Sequence, residues 1–256
     1  MFLHKTIKQL NSWFTSFIWS KKKPRLKMAM LCLFSTEGGV DLPDIGKFQL
    51  SVHLHTIADW MCSKSTSLWL DVESSMSKYP LSSLLFNRKS ASLKSVCTNP
   101  ITISTVKAWH AIRKLEGRSQ FTSVFTPICD NPDFPPGVMD YNFRIWVNKG
   151  VSTLHKLLEG STMMSFSQLK RKYDIQQQDF FRYLQETSSQ KTPQSLSVKI
   201  SHVERQLFLQ KSGRSISLFY NILKGYTMNT YFLKGLWEKE LNVKITDEGW
   251  NDVWKN

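Results

Sequence analysis

Several patterns are missing from this sequence, and each absence removes a class of function. No apolar run approaches the roughly 18 residues that a membrane span needs; the longest is Met28–Phe34. The chain does not open with a charged segment followed by an apolar core, so no secretory signal is expected. The N-terminal helix is too poor in arginine to make a good mitochondrial presequence. The cysteines are only four, Cys32, Cys62, Cys97 and Cys129, and no two form a C-x-x-C pair. Such usage fits reduced intracellular thiols better than a disulfide framework, and a zinc knuckle is not expected. The 11 glycines are scattered, with no G-x-G-x-x-G and no G-x-x-x-x-G-K-[ST] loop to cradle phosphates. G-x-S-x-G and H-E-x-x-H are also absent.

Metal and acid–base chemistry find little support. His53 and His55 are two apart on an expected helix and point to different sides. His155 and Glu159 have the i,i+4 spacing of two ligands on one helix face, without a third or fourth. Two-metal nucleotidyl transfer needs closely placed carboxylates, and no two aspartates are adjacent. The nearest candidates, Asp71 with Glu73 and Glu248 with Asp252, read as helix-solvating acids or as partners of a helix N-terminal dipole. No catalytic constellation emerges, so the chain is expected to be no enzyme and to need no cofactor and no metal.

What is present is positive charge. The chain holds 34 Lys+Arg against 20 Asp+Glu, a net +14, the footprint of a nucleic-acid or anionic-surface partner. Acid is absent from residues 1–36, which carry seven Lys/Arg, while Glu37 is the first carboxylate. The cluster Lys21-Lys22-Lys23-Pro24-Arg25-Leu26-Lys27 lies inside that stretch. From Thr187 to Leu236 there are seven more Lys/Arg and one acid, Glu204. A lysine-rich face can simply keep a protein soluble. Two biased stretches beside tryptophan and phenylalanine point instead to a polyanion, with cations on phosphates and rings able to stack on bases.

The periodicity is helical almost throughout. Phe2 to Trp19 reads as an amphipathic helix, with Leu3, Ile7, Leu10, Phe14 and Phe17 forming a stripe expected to face a core. Pro24 disfavours helix at Lys23, so a basic turn follows. Asp44 is placed to cap a largely apolar, buried helix from Ile45 to Met61. Ser63 to Ser95 holds eleven serines but also Trp69, Leu81, Leu84, Leu85 and Phe86, which suggests short helices joined by polar loops. Val106, Trp109 and Ile112 put one apolar side on a helix over Thr102–Leu115. Pro127 to Gly137, with four prolines, reads as an extended or turn-rich connection. A short helix follows around Phe143, Trp146 and Val147, closed by Gly150. Ser165–Gln168 and Ser201–Glu204 have capping-box form. Between them a helix passes through Phe180, Phe181 and Leu184, and Gln185–Gln194 is the best boundary. Further helices are expected over Ser215–Lys224, Asn229–Leu241 and after Thr246. About nine helical segments and no alternating strand series make the expected fold mainly α. It is an irregular multi-helix assembly with extended Pro-rich connections and no sizeable sheet.

Particular segments carry a family likeness. Asn11-Ser-Trp-Phe-Thr-Ser-Phe-Ile-Trp19, Lys23-Pro-Arg25 and Glu37-Gly-Gly-Val-Asp-Leu-Pro-Asp44 come in order, followed by a helix reaching Trp60. Asn131-Pro-Asp-Phe-Pro-Pro-Gly137, Phe143-Arg-Ile-Trp146, Ser165-Phe-Ser-Gln-Leu169, Asp179–Gln185, Ile216–Tyr220 and Trp237 continue the series over nearly the whole chain. This series resembles the region after the reverse transcriptase palm in polyproteins of vertebrate non-LTR retrotransposons of the long interspersed element type, as in fish and amphibian copies. The resemblance implies that residues 1–63 are a thumb-like segment, 64–190 a helical post-polymerase region, and 191–256 a basic helical region ending before the family's Cys/His segment. The family's palm aspartates have no counterpart here, so polymerase activity is not implied. Asp41 stands where the family often has a third glycine.

The resemblance further implies grip on RNA or an RNA–DNA hybrid through backbone phosphates, with Lys21, Lys22, Lys23, Arg25 and Lys27 as contacts. It implies the missing polymerase palm as native packing partner, no membrane, and an intracellular location, in cytoplasmic ribonucleoprotein or the nucleus. Two other readings stand beside it. One is an inert degraded element copy, whose Trp13, Phe14, Phe17 and Trp19 would form a sticky patch without the palm. The other is a helix-turn-helix-like DNA module over 166–185, with Gln176, Gln177, Gln178 and Arg182 reading base edges.

Overall fold

The computed structural model describes residues 4–35, 39–62, 67–87, 90–160, 162–189, 196–197, 199–210, 214–226, 238 and 242–246. The protein is mainly α-helical. In chain order the helices are α1 (His4–Ile18), α2 (Met28–Leu31), α3 (Ile45–Trp60), α4 (Leu68–Ser75), α5 (Leu81–Leu84), α6 (Ser90–Val96), α7 (Pro100–Leu115), α8 (Pro135–Met139), α9 (Asn142–Asn148), α10 (Phe166–Tyr173), α11 (Phe180–Ser189), α12 (His202–Glu204) and α13 (Ile216–Gly225). Strand among the described residues is limited to two-residue pairs. β1 (Thr122–Ser123) runs parallel to β4 (Leu196–Ser197), and β2 (Leu158–Glu159) antiparallel to β3 (Thr162–Met163). The expected helices over 229–241 and after Thr246 lie almost wholly outside the described residues, as does Trp237.

The chain divides into two compact units, Met1–Val52 with Ser215–Asn256, and His53–Arg214. These cuts fall at 52/53 and 214/215. The three regions drawn from the sequence, with edges at 63/64 and 190/191, concern position within the resembled polyprotein rather than compactness.

Side-chain caps set the starts of α3, α7, α10, α12 and α13. Asp44 Oδ1 accepts from the Lys47 N–H at 3.1 Å, the expected start of α3. α7 begins two residues earlier than its apolar spacing suggests. Asn99 Oδ1 accepts from Ile101 N at 2.8 Å and Thr102 N at 3.4 Å, and Pro100 supplies a fixed φ at the first position. Both capping boxes form, and Ser215 caps α13 through the Leu218 N–H.

One apolar cluster of the second unit gathers Phe134, Phe143, Trp146, Leu154, Phe166 and Leu169 with their buried neighbours. Phe134 meets Phe143 edge-on at 5.4 Å between centroids, and Phe143 meets Trp146 at 5.7 Å. Burial of such rings is the dominant stabilising term, roughly 1.5–3 kcal/mol for each large side chain. Gly150 leaves α9 at φ 98°, a conformation that other L-residues rarely enter. Gly137 has a different constraint: a Cβ there would lie 2.0 Å from the Ile128 carbonyl oxygen.

Three expectations are corrected. The proline-rich segment is not extended to its end: Pro135 and Pro136 start α8, because proline suits the first helical turn where its missing N–H has no partner to lose. The α1 stripe is not core-facing along its length: Ile7 and Leu10 are half-buried, but Phe14 and Phe17 are exposed, Phe17 by 84%. His155 and Glu159 share no helix face; a 3₁₀ turn at Leu154–Leu157 leads straight into β2.

A buried carboxylate ties the second unit together. Glu204 is 2% exposed. It accepts from Ser123 Oγ at 2.6 Å, from the Ser201 N–H at 3.1 Å and from Arg118 at 3.2 Å. Glu204→Ala is expected to lower the unfolding free energy by about 3 kcal/mol, because Arg118 then keeps a largely buried charge without its carboxylate. Ser201→Ala, which removes only the cap, should cost about 1 kcal/mol. Urea denaturation of both variants distinguishes these losses.

Arg182 bridges Asp140 at 2.6 Å and Asp179 at 2.7 Å. Burial raises the Asp140 pKa, but the Arg182 hydrogen bond, the Asn142 N–H and the Arg182 charge outweigh it and hold the carboxyl below its ordinary range. A depressed folded-state value gives stability that is complete above the unfolded value of about 3.9 and lost as pH falls through the lower folded value. Asp140→Asn should therefore unfold with a shallower dependence on pH below about 4, as read from stability curves at pH 3 to 6.

Candidate nucleic-acid interface

The basic cluster occupies the turn that ends α1. The Lys21 N–H reaches the Ser16 carbonyl at 2.8 Å, and the Ser20 N–H reaches the Phe17 carbonyl at 3.2 Å. These two bonds are those of a Schellman stop, which normally uses glycine. Here Ser20 and Lys21 take left-handed φ values of 47° and 64°. Holding non-glycine residues in that region costs about 1 kcal/mol each, and such strain gathers at functional sites. Pro24 follows and prevents the helix from resuming.

Lys21, Lys22, Lys23, Arg25 and Lys27 are all exposed. Among the described residues, every ion pair lies elsewhere. The turn therefore presents five cations within seven residues, with no carboxylate paired to them among the described residues. Exposed Trp13, Phe14, Phe17 and Ile18 adjoin it on α1. Trp19 is only half-exposed, and its indole nitrogen is buried.

The loop after α2 is built by packing rather than chemistry. Asp41 has φ 56°, a conformation that glycine enters freely and that aspartate tolerates better than most residues. Its carboxylate accepts from the Ser35 N–H at 3.1 Å and pairs with Lys224 of α13, which is only 5% exposed. Those two hydrogen bonds, Lys224 first, hold the Asp41 carboxyl below its ordinary range. The Lys224 ammonium also lies 4.0 Å from the Phe34 ring centroid. The Asp44 N–H donates to the Tyr220 hydroxyl at 2.9 Å, and the Tyr220 and Phe48 rings meet edge-on at 6.4 Å.

The remaining candidates do not converge on one centre. His53 Nδ1 lies 3.0 Å from Thr105 Oγ1, and burial pushes its pKa down. His55 Nδ1 lies 3.0 Å from the Arg214 carbonyl oxygen. Asp71 is exposed on α4, whereas Glu73 is buried and accepts from the Trp60 indole at 2.9 Å. Burial raises the Glu73 pKa against that hydrogen bond. Glu248 and Asp252 lie outside the described residues. Glu159 accepts from the Gln168 amide at 2.8 Å. All four cysteines are free. Among the described residues no group of three or more His, Cys, Asp or Glu is placed to hold a metal ion, and no helix is long and apolar enough to cross a membrane.

In the 166–185 segment, Arg182 is committed to Asp140 and Asp179, and Gln177 Oε1 accepts from Lys170 at 2.8 Å. Gln176 and Gln178 are exposed. Phe180, Phe181 and Leu184 are exposed as well, Phe181 by 67%. Sequence reading overlooked the neighbouring run Lys170-Arg171-Lys172 in the last turn of α10. Three consecutive cations beside two exposed rings were the available signal. No protein-family model matches the chain, and no curated protein sequence matches it.

Phe17→Ser tests whether the α1 face is free. Exposed substitutions usually change stability by less than about 0.5 kcal/mol, so thermal stability should hold while light scattering from self-association falls. A stability loss above about 1 kcal/mol would mean that the ring is buried.

Proposed function

We propose that this chain is a non-catalytic segment related to a retrotransposon reverse transcriptase polyprotein, and that it binds RNA or template–primer backbone without sequence preference. The observation that carries this reading is the exposed turn holding Lys21, Lys22, Lys23, Arg25 and Lys27, with no carboxylate paired to it among the described residues. Clustered cations on a backbone-defined turn suit phosphates, which repeat along any strand. Phe14 and Phe17 beside them supply rings on which unpaired bases can stack. The pairing of Arg182 with two aspartates favours backbone grip over base reading by the 166–185 segment, since a committed guanidinium has no free fork for guanine.

A second reading draws on the same helix. The exposed apolar face of α1 suits a helix whose partner is elsewhere, in the resembled family the polymerase palm. An inert element copy would share that exposed face and would lack productive binding.

Neutralising Lys21, Lys22, Lys23, Arg25 and Lys27 to glutamine separates the two. For a chain that grips single-stranded RNA, log affinity falls with log salt by about 0.7 for each neutralised phosphate. The five-fold variant should therefore lose up to about 3.5 from the magnitude of that slope, together with most of its affinity. Equal slopes for variant and parent across 50–300 mM salt would refute the grip.

A further inference from the structure

The second unit contains an open cavity of about 740 Å3, within the range of about 300–1,000 Å3 typical of small-molecule sites. Its construction is independent of the basic turn, which belongs to the other unit. One wall is an irregular antiparallel ladder. Ile128 N–H reaches Ser152 O at 3.2 Å, Leu154 N–H reaches Thr126 O at 3.0 Å, and His155 N–H reaches Val124 O at 2.6 Å. This ladder sets Phe125 beside His155, with centroids 5.5 Å apart.

A second part of the lining comes from a π-helical turn, Arg205–Leu209, directly after α12. π turns are rare and concentrate at functional sites. This one carries Phe208 into a stack with Phe125, 4.6 Å between centroids and 21° between planes. Phe86 and Trp109 brace Phe208 from behind at 5.9 and 6.1 Å. Phe125 is thereby buried, and Phe208 is left half-buried at the cavity.

The lip is cationic. Arg144 is partly satisfied by Asp130 at 3.1 Å. Lys156 is exposed and forms no ion pair among the described residues. Burial, then the charges of Lys156 and Lys172, push the His155 pKa down. A neutral imidazole there offers one donor and one acceptor. Asn148, Ser82 and Thr153 add hydrogen-bonding groups to the lining.

A half-buried aromatic ring, an exposed cation with no ion pair among the described residues and mixed donors between them match a planar heterocycle carrying a phosphate. We propose that this cavity binds a nucleotide, with its base laid against Phe208 and its phosphate held by Lys156. The nucleotide is either free or one unpaired residue of a strand, since both present the same chemistry.

Calorimetric titration of the 256-residue protein with AMP, adenosine and ribose 5-phosphate tests the proposal. AMP should saturate and bind at least about tenfold more tightly than either fragment, because only AMP engages both the Phe208 ring and the lip. Lys156→Glu should weaken AMP about tenfold or more, and Lys22→Glu should leave it unchanged. Lys156 is exposed, so folding is not at stake. Failure of AMP to saturate, ribose 5-phosphate binding as well as AMP, or Lys156→Glu binding like the parent would overturn the site. So would a loss of AMP binding in Lys22→Glu, which would put the phosphate at the basic turn. A short oligoadenylate that displaces AMP assigns the site to a strand residue, and one that leaves AMP in place assigns it to the free nucleotide. Loss of the salt-dependent grip with AMP binding intact would leave this site standing alone.

Discussion

Glu204 is the residue on which the second unit's architecture turns. Its carboxylate is buried and satisfied from three directions, by a hydroxyl more than eighty residues away, by its own capping-box backbone and by Arg118. A buried charge of this kind contributes little net stability over an apolar packing of the same volume, but removing one partner is costly. Its value here is positional. Ser123 belongs to β1, so Glu204 fixes the start of α12 against the chain that leads to Phe125. The π turn that follows inherits this position, and Phe208 meets Phe125 as a result. The Phe125–Phe208 stack is thus a consequence of an ion pair and a cap.

The basic turn obeys the opposite logic. Lys21–Lys27 are exposed, and the turn is defined by backbone hydrogen bonds and a proline. Ser20 and Lys21 hold left-handed φ values where glycine would be easier. Lysine at such a position retains its charge at the cost of conformational ease. Five neighbouring cations also repel one another, and salt or a polyanion relieves that repulsion. Stability alone would favour neither choice.

Much of the fold was legible because it rests on local rules. Asp44, Ser165 and Ser201 cap as expected, and Val106, Trp109 and Ile112 line the buried side of α7. The failures are equally physical. The α1 stripe has the period of a core-facing helix, but periodicity reports that a face is apolar and not that a partner covers it. Pro135 was read as a breaker although proline starts helices as readily as it ends them. The cavity escaped notice altogether. Its lining comes from distant stretches of the second unit, and neither the ladder at 124–128 nor the π turn has a sequence period. Lys156 is one lysine among many until the fold sets it at the rim of an aromatic cavity.

Several of the segments on which the resemblance was drawn are structural. Phe134, Phe143, Trp146, Phe166 and Leu169 meet in one apolar cluster, and Asp41, Asp44 and Tyr220 join the loop after α2 to α13. Residues of this kind are constrained by packing and by buried hydrogen bonds, so they speak to how the chain folds and little to what it binds. Function has to be sought in groups that packing does not consume. In the first unit those are the cations of the turn, and in the second the half-buried ring of Phe208 with Lys156 at the lip. Both ask for phosphate. The turn offers a row of exposed charges, which suits a repeating polymer. The cavity offers Lys156 beside the half-buried ring of Phe208, which suits a single residue. The two sites therefore differ in what they can discriminate: the turn only the density of phosphate, the cavity also the shape of what the phosphate carries.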